Sequence, residues 1–313
     1  MNLDVKILVV GDRGMVGSAL VRYLTGAGYK QVFGLNRSSC DLTRQLEVET
    51  FFEQLRPDYV FVCAAKVGGI VANSTYPAEF MYDNLMIETN TIHAAYKVGV
   101  QKLLFLGSTC IYPKFAEQPI KEESLLTASL EPTNEAYALA KIAGLKMCDY
   151  YNQQYGVQFF SAMPTNLYGI GDNFHPENSH VIPGMIQRFQ KAKLNGDSAV
   201  TCWGSGTPMR EFLYIDDLAE GLVFMMNNFE GPGFMNIGTG EDVTIKELAE
   251  TIAEVVGFEG QIIWDTLKPD GTPRKVTNMS KLHNLGWKHK TNLKDGLDQT
   301  YQWYLENADQ VRS

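Results

Sequence analysis

In the stretch NEAYALAKIAG, Tyr137 and Lys141 stand four residues apart, so any helix carrying them presents both on one face. A phenol with its usual pKa of about 10 is a poor acid–base group at neutral pH. A neighbouring ammonium stabilises the phenolate and lowers that value. The pair can therefore exchange a proton with a substrate oxygen, although the same spacing also occurs on solvated helices that do no chemistry. A second stretch, LGSTCIYP, ends the apolar run 103–106 with Ser108 and, two residues later, Cys110. A buried cysteine is ordinarily a small hydrophobe, and Cys110 by itself reads that way.

A third stretch, GDRGMVG, sets Gly11, Gly14 and Gly17 directly after the apolar run VKILVV, at spacing G-x-x-G-x-x-G. Glycines let backbone amides approach a pyrophosphate, and the N-terminus of the following helix favours its negative charge. A tight strand-to-helix turn without a ligand is the plainer alternative. An NAD site usually carries Asp or Glu at the end of the second strand. Here that strand ends GLNRSSCD, with Asn36 and Arg37, and Arg13 sits in the glycine loop. Two guanidiniums near the adenosine ribose suit a 2′-phosphate, which favours NADPH over NADH; otherwise Arg37 is a solvated loop charge.

These residues need elements to hold them. Strand signals at 5–11, 31–35, 59–65, 102–108 and 157–166 alternate with helix signals at 14–23, 46–55, 77–98 and 134–155. That alternation predicts an α/β fold, a Rossmann-type doubly wound parallel sheet. Pro77 suits a first helical position and Gly156 a helix end. After Asn166 the texture changes. A long polar loop, YGIGDNFHPENSH, leads to a helix at 181–194, then shorter elements: EFLYI, a helix at 216–228, FMNIG, a helix at 244–256, QIIW and a helix at 293–306. We read residues 1–166 as the dinucleotide-binding domain, which also receives segments from the later chain. Residues 167–313 are mainly a smaller α/β substrate-binding lobe, with the ligand in the crevice between.

Composition narrows the class. The chain has 313 residues, 45% hydrophobic and 20% charged, enough for a large core. Its net charge of −9 argues against a general nucleic-acid surface while permitting a local anion pocket. The five scattered cysteines, Cys40, Cys63, Cys110, Cys148 and Cys202, include no C-x-x-C pair, so neither a disulfide framework nor a metal site is expected. The apolar runs are too short to span a membrane, and MNLDVKILVVG lacks the layout of a signal peptide. A cytoplasmic enzyme is expected.

Glycine loop, Ser108, Tyr137 and Lys141 together resemble the extended short-chain dehydrogenase/reductase superfamily with its Ser–Tyr–Lys triad. The longer words GMVGSA, AAKVGGIVAN, LGSTCIYP, NSHVIP, WGSGTPMREF and KPDGTPRK are similar, nearly end to end, to the GDP-L-fucose synthase family. The resemblance implies epimerisation of GDP-4-keto-6-deoxy-D-mannose at carbons 3 and 5, followed by reduction of the 4-ketone with NADPH. It implies Cys110 as base and His180 as acid. A thiol and an imidazole, with ordinary pKa values of about 8.5 and 6.5, exchange protons with little adjustment. Tyr137, aided by Ser108, would serve the ketone oxygen, and Lys141 would orient the nicotinamide ribose and keep Tyr137 acidic. From the residues alone, His180 and His175 are equivalent. His93 reads as a helix-packing residue, and His283 and His289 as structural or exposed.

By the same resemblance the cofactor contacts are Gly11, Arg13, Gly14, Met15, Val16, Gly17, Arg37, Asp41, Leu42, Leu106, Gly107, Lys141, Pro164, Thr165, Asn166, Leu167 and His180. The substrate contacts are Ser108, Cys110, Tyr137, Asn166, His180, Arg188, Trp203, Arg210, Lys275 and Asn278. Arginine suits the diphosphate because its planar fork donates two parallel hydrogen bonds. Lys268 and Arg274 add to the local cation cluster, while Asp216 and Asp217 of YIDD read as structural. A homodimer packed through the helices at 77–98 and 134–155 is also implied. Two departures stand out: Asn278 replaces a common Asp, and Ile170 replaces a frequent Pro in the loop before His180. The competing readings are another NAD(P)-dependent extended reductase, epimerase or dehydratase acting on a nucleotide sugar, and a non-catalytic dinucleotide sensor.

Overall fold

The computed structural model describes residues 1–175, 179–268 and 270–308. In chain order the main elements are β1 (Lys6–Val10), α1 (Met15–Gly26), β2 (Gln31–Leu35), α2 (Gln45–Leu55), β3 (Tyr59–Val62), α3 (Ile70–Thr75), α4 (Pro77–Lys97), β4 (Lys102–Leu106), α5 (Glu135–Tyr155), β5 (Gln158–Pro164) and β6 (Asn166–Tyr168). There follow α6 (Val181–Asn195), β7 (Ala199–Trp203), β8 (Met209–Arg210), β9 (Phe212–Tyr214), α7 (Ile215–Asn228), β10 (Phe234–Ile237), β11 (Val243–Thr244), α8 (Ile245–Val256), β12 (Gln261–Asp265), β13 (Arg274–Lys275), α9 (Ser280–Leu285) and α10 (Leu293–Asn307). The elements expected from sequence fall within a few residues of these bounds. The polar loop before α6 runs partly through 176–178, outside the described residues.

Six strands form the main sheet in the order β10-β5-β4-β3-β1-β2, and every neighbouring pair is parallel. Both faces are covered, so the strands are continuous apolar runs whose side chains alternate between two cores. Ile7, Val9, Phe61, Leu104 and Phe160 face α1, α6 and α7, and that core continues to Leu248 of α8 and Leu297 of α10. Leu8, Val10, Val60, Val62, Leu103 and Phe105 face α2, α4 and Cys148 of α5. The chain moves outward from β1 in both directions, to β2 on one side and β3 on the other. Such a switch point opens a crevice beyond the strands' carboxyl ends.

The sixth strand, β10, comes from residues 234–237, so the chain re-enters the sheet partway through building the second lobe. That lobe holds three small sheets: β12-β7, β6-β9, and β11-β8-β13. Local signals set the helix ends. Pro77 stands at the start of α4, Gly156 terminates α5 with φ +68°, and a reciprocal Thr244–Glu247 capping box starts α8.

Candidate active site

The glycine loop sits at the switch point. Gly11, at the end of β1, has φ +92°, and a Cβ there would lie 2.7 Å from the Ala64 nitrogen beyond β3. Gly14 caps α1, with Met15 and Val16 in the first turn. A Cβ on Gly17 would lie 2.1 Å from the Gly11 carbonyl oxygen. The loop is thus held against the first turn of α1, a cradle of backbone that fits a dinucleotide pyrophosphate. At the end of β2, the Asn36 side-chain amide donates to Asp12 Oδ1 at 2.9 Å. Arg13 and Arg37 are both exposed. The Thr43 hydroxyl and N–H hold the Asp41 carboxyl below its ordinary range, with Arg44 and Arg37 adding smaller effects. The buried Leu42 takes a hydrogen bond on its carbonyl from Asn90 of α4 at 3.0 Å.

The catalytic candidates gather beyond β4 and β5. Gly107 donates its N–H to the Ala162 carbonyl at 2.9 Å, continuing the ladder past β4. Ser108 caps a single 3-10 turn over Thr109–Ile111, accepting the Cys110 N–H on Oγ at 3.3 Å. From the first turns of α5, Tyr137 and Lys141 face this turn, with the Lys141 Nζ 5.8 Å from the Tyr137 ring centroid. Lys141 Nζ also donates to the Leu106 carbonyl at 3.1 Å and lies 2.9 Å from Glu88 Oε1 of α4.

Burial outweighs charge in setting protonation here. It raises the Tyr137 phenol well above 10, with Cys110 and Glu88 adding to the rise. The direction is opposite to the lowering expected from a neighbouring ammonium, and burial is its largest cause. Burial also raises the Cys110 thiol, opposed first by Lys275, then by the Ser108 hydrogen bond and Lys141. His180 enters from a different element, at the N-cap of α6. Its ring keeps solvent contact, yet enough protein surrounds it to lower the imidazole pKa by lost hydration.

The second lobe supplies the cations. β8 and β13 pair in parallel with Arg210 beside Lys275. Burial lowers the Arg210 guanidinium and, with the Arg210 charge, the Lys275 ammonium. Backbone bonds from Ile120 N–H to the Val276 carbonyl and from Asn278 N–H to the Ile120 carbonyl, both 2.8 Å, tie β13 to the segment after Cys110. Arg188 donates to the Thr201 carbonyl at 3.0 Å. Trp203, 67% exposed on β7, offers an open indole face with Lys268 Nζ 5.4 Å from its centroid.

Several expected contacts have local work as well. Thr165 Oγ1 and Asn166 Nδ2 donate to the Glu211 carbonyl at 3.3 and 2.8 Å, and Pro164 and Leu167 flank them in β5 and β6. Asn278 Oδ1 accepts the Ser280 N–H at 3.0 Å, closing a turn into α9. Arg274 is paired with Asp242 at 2.6 Å. Asp217 accepts two backbone N–H groups and the Thr291 hydroxyl, and Asp216 pairs with Arg22, structural roles as expected. His93 bonds the Tyr151 hydroxyl at 2.7 Å between α4 and α5.

Sequence reasoning missed Glu88, which reads as one more acid on a helix, and it missed how close Lys275 comes to Cys110. Only packing reveals either. The assembled residues can accept and return protons around a carbonyl beside a dinucleotide cradle.

The profile of the NAD dependent epimerase/dehydratase family matches residues 7–238. The chain is similar to GDP-L-fucose synthase 1 of Arabidopsis thaliana, 60% identical over 97% of this chain and 94% of that one. It is 52% identical to GDP-L-fucose synthase of Escherichia coli (strain K12), over 98% of each. The solved structure of a GDP-L-fucose synthetase from Naegleria fowleri bound to NADP superposes with a TM-score of 0.92 at 31% identity, covering 100% of this chain and 98% of that one.

Proposed function

The chain belongs to the NAD dependent epimerase/dehydratase family, and within it we propose that this protein makes GDP-L-fucose, epimerising GDP-4-keto-6-deoxy-D-mannose at carbons 3 and 5 and reducing its 4-ketone. It is an enzyme with a Rossmann-type dinucleotide domain and uses NADPH. The observation that carries the reading is the cluster of Ser108, Cys110, Tyr137 and Lys141 beyond β4, at the same carboxyl edge of the sheet as the glycine loop. In this division residues 1–166 hold the cofactor and the later chain mainly the substrate.

Cys110 takes a proton from the carbon beside the ketone, and the electrons pass into an enolate. His180 returns a proton to the opposite face of the same carbon, inverting it, and no redox change occurs. During this step Ser108 and the protonated Tyr137 donate hydrogen bonds to the enolate oxygen. NADPH supplies the hydride to carbon 4. Tyr137 then gives its proton to the developing alkoxide, completing the alcohol. A phenol kept protonated by burial suits that donation. Arg210, Lys275 and Arg188 bind the diphosphate, and Trp203 stacks on the nucleotide base.

Cys110→Ser tests the division of labour. Deuterium incorporation from solvent at carbons 3 and 5, followed by NMR, should fall at least about a hundredfold, the usual range for one proton-transfer group. Oxidation of NADPH by the keto sugar should persist in part. Wild-type exchange in the variant would remove Cys110 from the base role.

The enzyme is further proposed to work in the cytoplasm, where its five cysteines stay free thiols. Among the described residues no helix is long and apolar enough to cross a membrane. We place a homodimer interface on α4 and α5, which leave Met81, Tyr82, Tyr150 and Tyr155 exposed.

A further inference from the structure

We propose that Glu88 is a positioning residue for the reduction: its ion pair with Lys141 fixes the ammonium beside Tyr137 and helps keep the tyrosine in its proton-bearing form. The inference rests on the reductase reading above.

Two buried asparagines of α4 are spent on the backbone. Asn84 donates to the carbonyls of Phe80 and Lys66, and Asn90 to that of Leu42. Glu88 is different. Its carboxylate lies 2.9 Å from Lys141 Nζ, with the two side chains 1% and 2% exposed. Neither carboxylate oxygen has an aligned hydrogen bond among the described residues. Burial raises the Glu88 carboxyl, and the charge and close contact of Lys141 oppose that rise; a buried charge without its partner is strongly destabilising.

The surroundings make room for it. A Cβ on residue 144 would lie 2.8 Å from Glu88 Oε2 and 2.6 Å from the Phe105 ring, so Gly144, less than one turn past Lys141, leaves the space the carboxylate occupies. Lys141 is then fixed from several sides: Glu88, the Leu106 carbonyl and the Phe105 ring, 4.6 Å away.

The charges facing this pair come from four elements. Tyr137 and Cys148 lie on α5 with Lys141, and Glu88 raises both. Cys63 follows β3 and feels Lys141. Cys110, after β4, feels Lys141 and Lys275 of β13. Replacing Glu88 by a neutral isostere removes the anion that raises Tyr137 and Cys148. Tyr137 then loses its proton at lower pH. Reduction needs the Tyr137 proton, so the alkaline limb of the rate profile moves down.

The test is the pH dependence of kcat/KM for NADPH oxidation by the keto sugar, for wild type, Glu88→Gln and Glu88→Asp. Glu88→Gln should lower the alkaline limb by about half a pH unit or more, less than the effect of a charge in direct contact. Glu88→Asp keeps the charge but withdraws it by one methylene, and its limb should fall between the other two. In the apo-protein, ¹³Cζ-tyrosine NMR, with Tyr137 assigned through Tyr137→Phe, should show ionisation beginning at lower pH in Glu88→Gln. A reduced rate with limb and titration unmoved would mean mere packing and overturn the proposal. If Glu88→Gln does not fold, an unmoved limb in Glu88→Asp overturns it equally. Wild type that never oxidises NADPH with this sugar would sink the functional reading, a separable failure, since the apo titration needs no turnover.

Discussion

Glu211→Gln should destabilise the second lobe far more than its one-atom change suggests. Glu211 is fully buried beside Arg210, and all its side-chain partners are donors. Oε1 accepts the N–H groups of Thr239 and Gly240, each at 2.7 Å. Oε2 accepts the Thr277 N–H and hydroxyl, each at 2.8 Å. Four donors demand two acceptor oxygens, and a glutamine has one. In its best orientation the amide carbonyl faces Thr239 and Gly240, and the Thr277 hydroxyl turns to accept from the new NH₂. The Thr277 N–H and one amide hydrogen are then buried without acceptors, at about 1–3 kcal/mol each. The surviving bonds lose their charge assistance, so the total is about 3–6 kcal/mol.

Urea unfolding followed by far-UV circular dichroism measures this directly, and the melting temperature should fall by roughly 6–12 °C at about 2 °C per kcal/mol. The functional consequence is selective. Glu211 ties β8 to the turns after β10 and β13, and its carbonyl anchors Thr165 and Asn166. Arg210 and Lys275 should therefore lose their register, raising KM for the GDP-sugar, while NADPH affinity, proposed to reside in the separate glycine loop, should change little. A variant within about 1 kcal/mol of wild type would refute the accounting of donors.

Three further outcomes are expected. The Asp172 carboxyl is 5% exposed; its Oδ1 accepts the Asn173 N–H at 2.7 Å and its Oδ2 has no partner among the described residues. Burial pushes its pKa up to about 7. Because the folded value exceeds the unfolded one, this contribution is complete below about pH 4 and disappears as pH rises through 7, a loss of at most about 4 kcal/mol. Asp172→Asn should flatten that slope and melt higher than wild type at pH 8; identical melting at pH 5 and 8 for both proteins would contradict it. Gly17→Ala puts a Cβ 2.1 Å from the Gly11 carbonyl oxygen and should weaken NADPH at least about tenfold in a fluorescence titration, an unchanged Kd being the adverse result. Arg37→Ala should weaken NADPH by about 10- to 100-fold more than NADH, the value of one charge-assisted bond to phosphate; equal losses would remove Arg37 from that site.

The parts of the fold legible in the sequence were those with a strong period. KILVV, YVFV and KLLFL are buried on both faces and so read as continuous apolar runs, while Pro77 and Gly156 mark helix ends through backbone chemistry of their own. β8, β11 and β13 have two residues each and exist only as pairings with distant chain, which no local pattern encodes. β7 left a usable signal, since Val200 and Cys202 are buried and Thr201 and Trp203 exposed, a period-2 alternation. In the site, the Tyr137–Lys141 spacing was visible, but the part suggested for Cys110 came from family resemblance. Glu88 shares α4 with Glu79, which pairs at the surface with Lys66, and nothing in the sequence distinguishes the buried acid from the exposed one.

Protonation in the proposed acid–base pair obeys a constraint that the geometry makes concrete. The reactive form, Cys110 as thiolate with His180 as imidazolium, carries the same number of protons as the resting form, thiol with neutral imidazole. Between the two pKa values its population is therefore independent of pH and depends only on their difference. At ordinary values of about 8.5 and 6.5 that population is about one per cent. Burial raises the thiol and lowers the imidazole, so both shifts widen the gap and make the reactive form rarer. Lys275 is the largest opposing influence on Cys110, and Arg210, in register beside it, weakens Lys275 by repulsion. A diphosphate bound as proposed by these two cations would offset that repulsion and favour the Lys275 ammonium, which in turn favours the thiolate. Under the proposed roles, substrate binding and activation of the base would be coupled through Lys275.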